Sequence, residues 1–521
     1  MKSKKQIIIL IILLTLPIFN FFFSIRTAPT VSKDNTQSIR SSTIYNNTLY
    51  IDDDNPLLSW ANRSAMGYCT GSGTAGNPYV ISGDTFNVGS AAYGLRIRDS
   101  RKYFKVINCE FLSASAYGIY VYNTTNGIFA DNHVTGISFG IECTNCTDIT
   151  FTRNNCSLNG YGFYISLSSD LLFDSNKVNE NSAYGFFINN CDDSTFKGNS
   201  ANENSIDGFY MNNCDNSIFQ GNIANGNGDD GFDIRGSSTF NLFSGNVAND
   251  NNDIGIYNTN CDYNKFLSNT CNHNGNDGCY LTGSDHIIFS GGTYFNNSGN
   301  GVYINNGVNI SVFNAQSYHN YENGIRIYST DQSSIENNNA HDNNWYGMAV
   351  GGTSLQNIIE GNTAQYNNLS GFYLFSTADN NLVLDNVASY NEEHGIFLDS
   401  ADDNIIMSNE ANNNAENGIH LLDSNGNSLL SNTAKNNNNG TFLDNSDNNL
   451  VYNNILISNG ACFNETGSTG NVFKDNICTS SQLPAVPLDP FILGLIIGLV
   501  IGFGALAAVI LTLFLRGRRK K

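Results

Sequence analysis

Four sets of residues in this 521-residue chain are of types and spacings that could do chemistry. The densest acidic spot holds Asp207, Asp229, Asp230, Asp233 and Asp253, with Arg235 among them. Two carboxyls ~5–9.5 Å apart, one of them protonated, can hydrolyse a glycosidic bond. Clustered carboxylates also ligate Ca²⁺. Asp230, Asp233 and Arg235 are therefore the catalytic candidates, and Asp207, Asp229, Asp230 and Asp253 the calcium candidates. An Asp before Gly is also what a tight turn uses, so turn structure is the first reading, calcium the second and catalysis the third. His319 and His341 form the second set. They are read as equivalent positions of successive repeats, where two imidazoles ~5 Å apart would suit copper.

The third set is aromatic. Tyr210, Tyr257, Tyr280 and Tyr303 each stand two residues after a recurring Gly, on a face expected to meet solvent. Such a column can serve sugar rings or another protein surface, or can simply shield a sheet. The fourth set is the 12 cysteines. Small buried slots are their first reading. Disulfides are best placed at Cys69–Cys109, Cys191–Cys214 and Cys462–Cys478. No spacing suits a zinc site.

What positions these residues is a repeat. Glycines 94, 118, 140, 162, 185, 208, 231, 255, 278, 301, 324, 347, 371, 395, 418 and 440 recur every 22–24 residues, and Gly460 follows less regularly. An Asn lies 14–16 residues after each Gly, with an apolar residue three places before it, as in Phe129…Asn132 and Phe266…Asn269. Gly292 and Gln316 are the departures. Residues one and three after the Gly are apolar, a period of two. Units of ~23 residues are too short for strand–helix–strand crossovers. Short strands broken by Asn, Asp and Gly turns instead predict an all-β, right-handed parallel β-helix. It would have about 17 coils and form a rod of roughly 80 Å at ~4.8 Å per coil. The repeated Asn would form an amide ladder along it. A second Asp column recurs on so many coils that it is read as architecture.

The two ends differ from the middle. Lys2, Lys4 and Lys5 precede an apolar run, residues 7–25, which reads as a signal peptide or signal anchor whose cleavage is open. Residues 491–515 carry no charge and are long enough to span a bilayer, and the Arg516–Lys521 tail is a positive-inside stop. Setting aside the nine bases of these ends (Lys2, Lys4, Lys5, Arg26 and the five of the tail) leaves 46 acidic and 16 basic residues, a net charge of −30. So acidic a body repels nucleic acid. Ten Asn-x-Ser/Thr sequons are compatible with an exported, glycosylated domain.

The Gly-Ile-Tyr-Val and Ile-Phe-x-x-Asn cadence over about 90–480 resembles the parallel β-helix repeats of the carbohydrate-binding and sugar-hydrolase superfamily. Within it, the cadence is similar to the NosD-like periplasmic copper-binding type. The stretch Ile51-Asp-Asp-Asp-Asn-Pro with Trp60, Cys69 and Asn77-Pro-Tyr-Val-Ile81 resembles the N-terminal cap of archaeal membrane-anchored surface proteins of this kind. The resemblance implies the fold, since one scaffold hosts many activities. The chain lacks the Gly-His-Gly of polygalacturonases and the Asp-Pro-His-Asp of alginate epimerases. The expected organisation is a signal segment (1–28), a cap (41–93), the repeats (94–480), a linker (481–490), a transmembrane helix (491–515) and a basic tail. The expected function is non-enzymatic recognition of glycans or surface components at the cell membrane, with no required cofactor. Polysaccharide cleavage and NosD-like copper handling are the alternatives.

Overall fold

The computed structural model describes residues 42–479. Both expected membrane segments lie outside these residues. Among the described residues no helix is long and apolar enough to cross a membrane.

Each coil contributes up to three short strands, as the coil of Gly278 shows. Cys279–Thr282 lies in sheet 1, Ile288–Ser290 in sheet 2 and Thr293–Phe295 in sheet 3. Each strand pairs in parallel with its equivalent one coil on: Cys279 with Val302, Ile288 with Ser311, and Thr293 with Gln316. Sheet 1 runs through 18 strands, from Leu49–Asp52 to Ala461–Thr466. All but the first follow one of the recurring glycines, which gives the 17 coils of a right-handed solenoid. The Gly is required because a Cβ on Gly278 would sit 2.6 Å from the Gly301 carbonyl oxygen of the next coil. The segment before Gly94 is itself a coil, since Leu49–Asp52 and Tyr79–Ser82 already belong to sheets 1 and 2. Helix α1 (Trp60–Ala65), capped by the Ser59 side chain, is inserted there and buries Trp60 against Tyr79 and Phe104.

Period-two alternation sends the first and third residues after the Gly inward, as with Cys279 and Leu281. Inside, Phe129, Phe151, Phe173, Phe196, Phe219, Phe243, Phe266 and Phe289 stack along the axis with centroids 4.6–5.2 Å apart. Each ring meets the next coil's copy of itself, so burial and offset stacking add along the rod.

Amide ladders stitch the turns. Asn246 is typical: its Nδ2 donates to the Phe219 carbonyl (2.9 Å), and its Oδ1 accepts from the backbone N–H (2.9 Å) and the Nδ2 (3.1 Å) of Asn222. This ladder climbs from Asn132 to Asn269 and resumes at Asn338. A second ladder runs from Asn159 to Asn459 without a break. The expected departure at Gln316 belongs one residue earlier. Gln316 pairs with Asn339, so the residue in ladder register is Ala315, whose N–H donates to Asn338. Beside Gly292 and Ala315 the fully buried Tyr294 takes the vacated space, its hydroxyl 2.8 Å from where a Gly292 Cβ would be. At the neighbouring turn Ile287 and Ile310 replace the polar residue between Asn264 and Ser333.

The recurrent Asp residues are architectural. Asp148, Asp170, Asp193 and Asp403 adopt left-handed φ of 53–56°. Asp192, Asp262, Asp331 and Asp402 each accept a backbone N–H from the next coil at 2.6–2.9 Å.

Of the three expected disulfides one is present, Cys462–Cys478, with Cα atoms 5.9 Å apart in the last coil. The other two expectations are corrected. Cys191 and Cys214 remain thiols one coil apart, the Cys191 N–H donating to the Cys214 sulfur at 3.1 Å. Equivalent positions of parallel coils point the same way, whereas a disulfide needs the two Cβ vectors to converge. Cys69 and Cys109 are thiols bonded to the Trp60 and Ile107 carbonyls. Replacing Cys462 by Ser opens a 16-residue loop and should lower stability by about 3 kcal/mol, read as a fall in urea midpoint that reductant reproduces in the parent protein.

Candidate functional site

The outward column two after the Gly and the turn residue just before the Gly lie side by side along sheet 1. Between Gly231 and Gly324 they enclose a groove of about 470 Å³. Its lining includes Asp229, Asp230, Asp253, Asp277, Glu322, Arg235, Arg326, Tyr257, Tyr280 and Tyr303. Three residues of the acidic spot, Asp229, Asp230 and Asp253, thus converge with Arg235 and three of the four expected tyrosines, while Asp207 and Asp233 lie behind this lining. Tyr210 is separated from them: Asp233 stands between it and Tyr257, and it stacks on Phe187 instead.

The tyrosines form a face-to-face pile, with Tyr257–Tyr280 at 5.5 Å and Tyr280–Tyr303 at 4.8 Å. Arg235 closes one end, 5.4 Å above the Tyr257 ring, and Arg326 the other, 4.8 Å from Tyr303. The ring faces are therefore occupied. The pile presents ring edges and phenol hydroxyls to a ligand, not a platform for stacking. The Tyr280 hydroxyl already accepts from Asn305 Nδ2 at 3.3 Å. Opposite, Asn300 Nδ2 donates to both Asp277 Oδ1 and Glu322 Oε2, each at 2.9 Å. Carboxylates, amides, guanidiniums and phenols spaced one coil apart make a comb of hydrogen-bonding groups suited to a hydroxyl-rich ligand.

Asp207, Asp230 and Asp233 form one cluster of carboxyl groups, and Asp229, Asp230 and Asp253 another, with one oxygen from each residue within 4.8 Å of the others. Asp207, Asp230 and Asp233 are 2, 3 and 2% exposed. Burial, then Asp233, pushes the Asp207 carboxyl up to about 8. Burial and Asp207 raise Asp230 well above the usual carboxylate range. Burial also raises Asp233, opposed by Arg235, whose Nε is 2.7 Å from its Oδ1. Asp277 is pushed up to about 6 by burial, against two hydrogen bonds from Asn300.

His319 and His341 do not share a column. His341 pairs with Tyr318 and stacks on it at 5.0 Å, and the exposed His319 is in register with Asp342. The one-residue error at Ala315 is what made them look equivalent. The structure joins a different pair: His394 Nε2 is 3.0 Å from His420 Nδ1 and 3.3 Å from Glu416 Oε2. Burial pushes these imidazoles down to about 3 and about 4. Sequence reasoning also missed Glu322 and Asn300, and a second aromatic column, Tyr93–Tyr117–Phe139–Tyr161–Tyr184, just before the Gly. Asp207, Asp230 and Asp277, each just before its Gly, were the signal that this column lines the same face.

This architecture defines a class. The model described as "Right handed beta helix region" matches residues 93–248, 207–339 and 240–388, and the chain belongs to that family. Residues 338–483 also match the model described as "Periplasmic copper-binding protein (NosD)". No curated protein matches the chain. Similar solved structures include the Azotobacter vinelandii mannuronan C-5 epimerase AlgE6 A-module, 15% identical over 78% of this chain and 90% of that one, TM-score 0.34. The periplasmic alginate epimerase AlgG is 12% identical over 78% of each chain, TM-score 0.29. Tailspike protein 2 of Escherichia coli O157:H7 bacteriophage CAB120 is 13% identical over 59% and 38%, TM-score 0.26.

Proposed function

We propose that this chain is a non-enzymatic recognition protein of the cell surface, held by its terminal apolar segments and binding glycans in the groove beside Tyr257, Tyr280 and Tyr303. The observation that carries this reading is the groove itself: hydrogen-bonding side chains of several kinds, set at coil spacing along one face. Binding energy at such a site comes from hydroxyl-to-side-chain hydrogen bonds, each worth roughly 0.5–1.5 kcal/mol. The test keeps the pile and removes its hydroxyls. Replacing Tyr257, Tyr280 and Tyr303 by Phe together should leave the unfolding midpoint in place and weaken binding on a glycan array at least about tenfold. Unchanged binding would reject the site, and new reducing ends or unsaturated uronides on a polysaccharide panel would reject the non-enzymatic reading.

A further inference from the structure

The charge of the groove narrows its ligand, granted that it binds glycans. Five carboxyl-bearing side chains line it, Asp229, Asp230, Asp253, Asp277 and Glu322, and even with Asp230 holding its proton the other four outnumber the two guanidiniums. Each guanidinium already has a carboxyl group and an aromatic ring beside it. Arg235 Nε is 2.7 Å from Asp233 Oδ1 and its guanidinium lies over Tyr257. Arg326 is 3.9 Å from Glu322 and lies over Tyr303 and Tyr328. Around the groove the body carries 46 acidic and 16 basic residues, so the field at long range has the same sign as the wall.

An acidic polysaccharide approaching this surface meets repulsion first, and each cation it then reaches already has a carboxyl group beside it. A neutral one loses nothing on approach, and carboxylates at coil spacing accept its hydroxyl protons. We infer that the glycan recognised here is free of carboxylate and sulfate groups.

Matched polymers that differ only in a carboxyl test this: carboxyl-reduced polygalacturonan against polygalacturonan itself, and linear β-mannan against poly-β-mannuronan of the same linkage. Binding of the full chain is measured in EDTA, so that no divalent cation bridges carboxylates, at low and at physiological salt. The neutral member of at least one pair should bind at least about tenfold more tightly at low salt, the gap closing as salt screens the field. Its binding should fall in the Tyr→Phe triple variant. A uronate that binds more tightly than its neutral partner in EDTA, and is lost in that variant, overturns this inference while keeping the groove as a glycan site. Polymers that bind equally well to the triple variant, or none that bind, overturn both.

Discussion

Asn246→Ala should destabilise the solenoid by roughly 3–6 kcal/mol, among the largest effects available to a single polar residue here. The loss is not that of one hydrogen bond. Asn246 Oδ1 satisfies both the backbone N–H and the Nδ2 of Asn222, and its own Nδ2 satisfies the Phe219 carbonyl. Truncation removes these three hydrogen bonds where Asn222 and Asn246 are 0 and 1% exposed. The Asn222 backbone N–H loses its acceptor outright, at about 1–3 kcal/mol, while Asn222 Nδ2 keeps the Phe196 carbonyl and loses only its second acceptor. The exposed Asn306, at φ 53°, supplies the comparison, because Asn306→Gly keeps the left-handed turn and should change stability by less than about 0.5 kcal/mol. Urea unfolding followed by circular dichroism reads both. Equal midpoints for the two variants would mean that the ladder contributes shape without stability.

Asp207→Asn should do the opposite and stabilise the protein at neutral pH. The folded carboxyl is held up at about 8, whereas in the unfolded chain it titrates near the ordinary value of about 3.9. Between these values the folded protein keeps a proton that the unfolded chain releases. The unfolded state then binds fewer protons, and stability falls as pH rises from about 4 to about 8. At pH 7 the accumulated loss from this group reaches up to about 4 kcal/mol. An amide cannot ionise, and Asn300 and Asn323 already occupy the same column. The variant should therefore match the parent near pH 4 and exceed its thermal midpoint at pH 7.5. Calcium added at pH 7.5 should raise the midpoint of the parent but not of Asp207→Asn if a cation takes the proton's place. A parent midpoint that rises from pH 4 to pH 7.5 with no gain in the variant would contradict the buried-proton account.

The solenoid was legible because its rules repeat: one Gly for close approach, two inward apolar residues, one ladder Asn. Seventeen statements of one rule leave little freedom. The candidate site was legible only in part, because it is made where the rule is relaxed. Asp230, Asp233, Arg235 and the tyrosines stood out as column members. On the opposing wall Asp277 shares the column before the Gly with Asp207 and Asp230, but Asn300 and Glu322 lie in turns where polar residues are common for backbone reasons and so carry no distinguishing mark. The histidine pairing failed through one misassigned residue at Ala315, which in a period-two strand moves every later side chain to the other face. The stacking of the tyrosine rings on one another was implicit in the coil spacing, but the guanidiniums that close the pile depend on which coils carry Arg.

The interruption at Gly292, Ala315, Ile287 and Ile310 gives the rod a seam. In a stack where each coil touches only its neighbours, cooperativity passes from coil to coil through the interfaces, and a weak interface divides the whole into blocks. Two of the amide ladders stop on the same coils and one carries through, so fewer amide hydrogen bonds tie neighbouring coils together at this point. Tyr280 and Tyr303 stand on these coils. A polymer lying along the groove spans the seam from outside, and its binding energy would appear as coupling between the two halves, as a splint joins a rod at its joint.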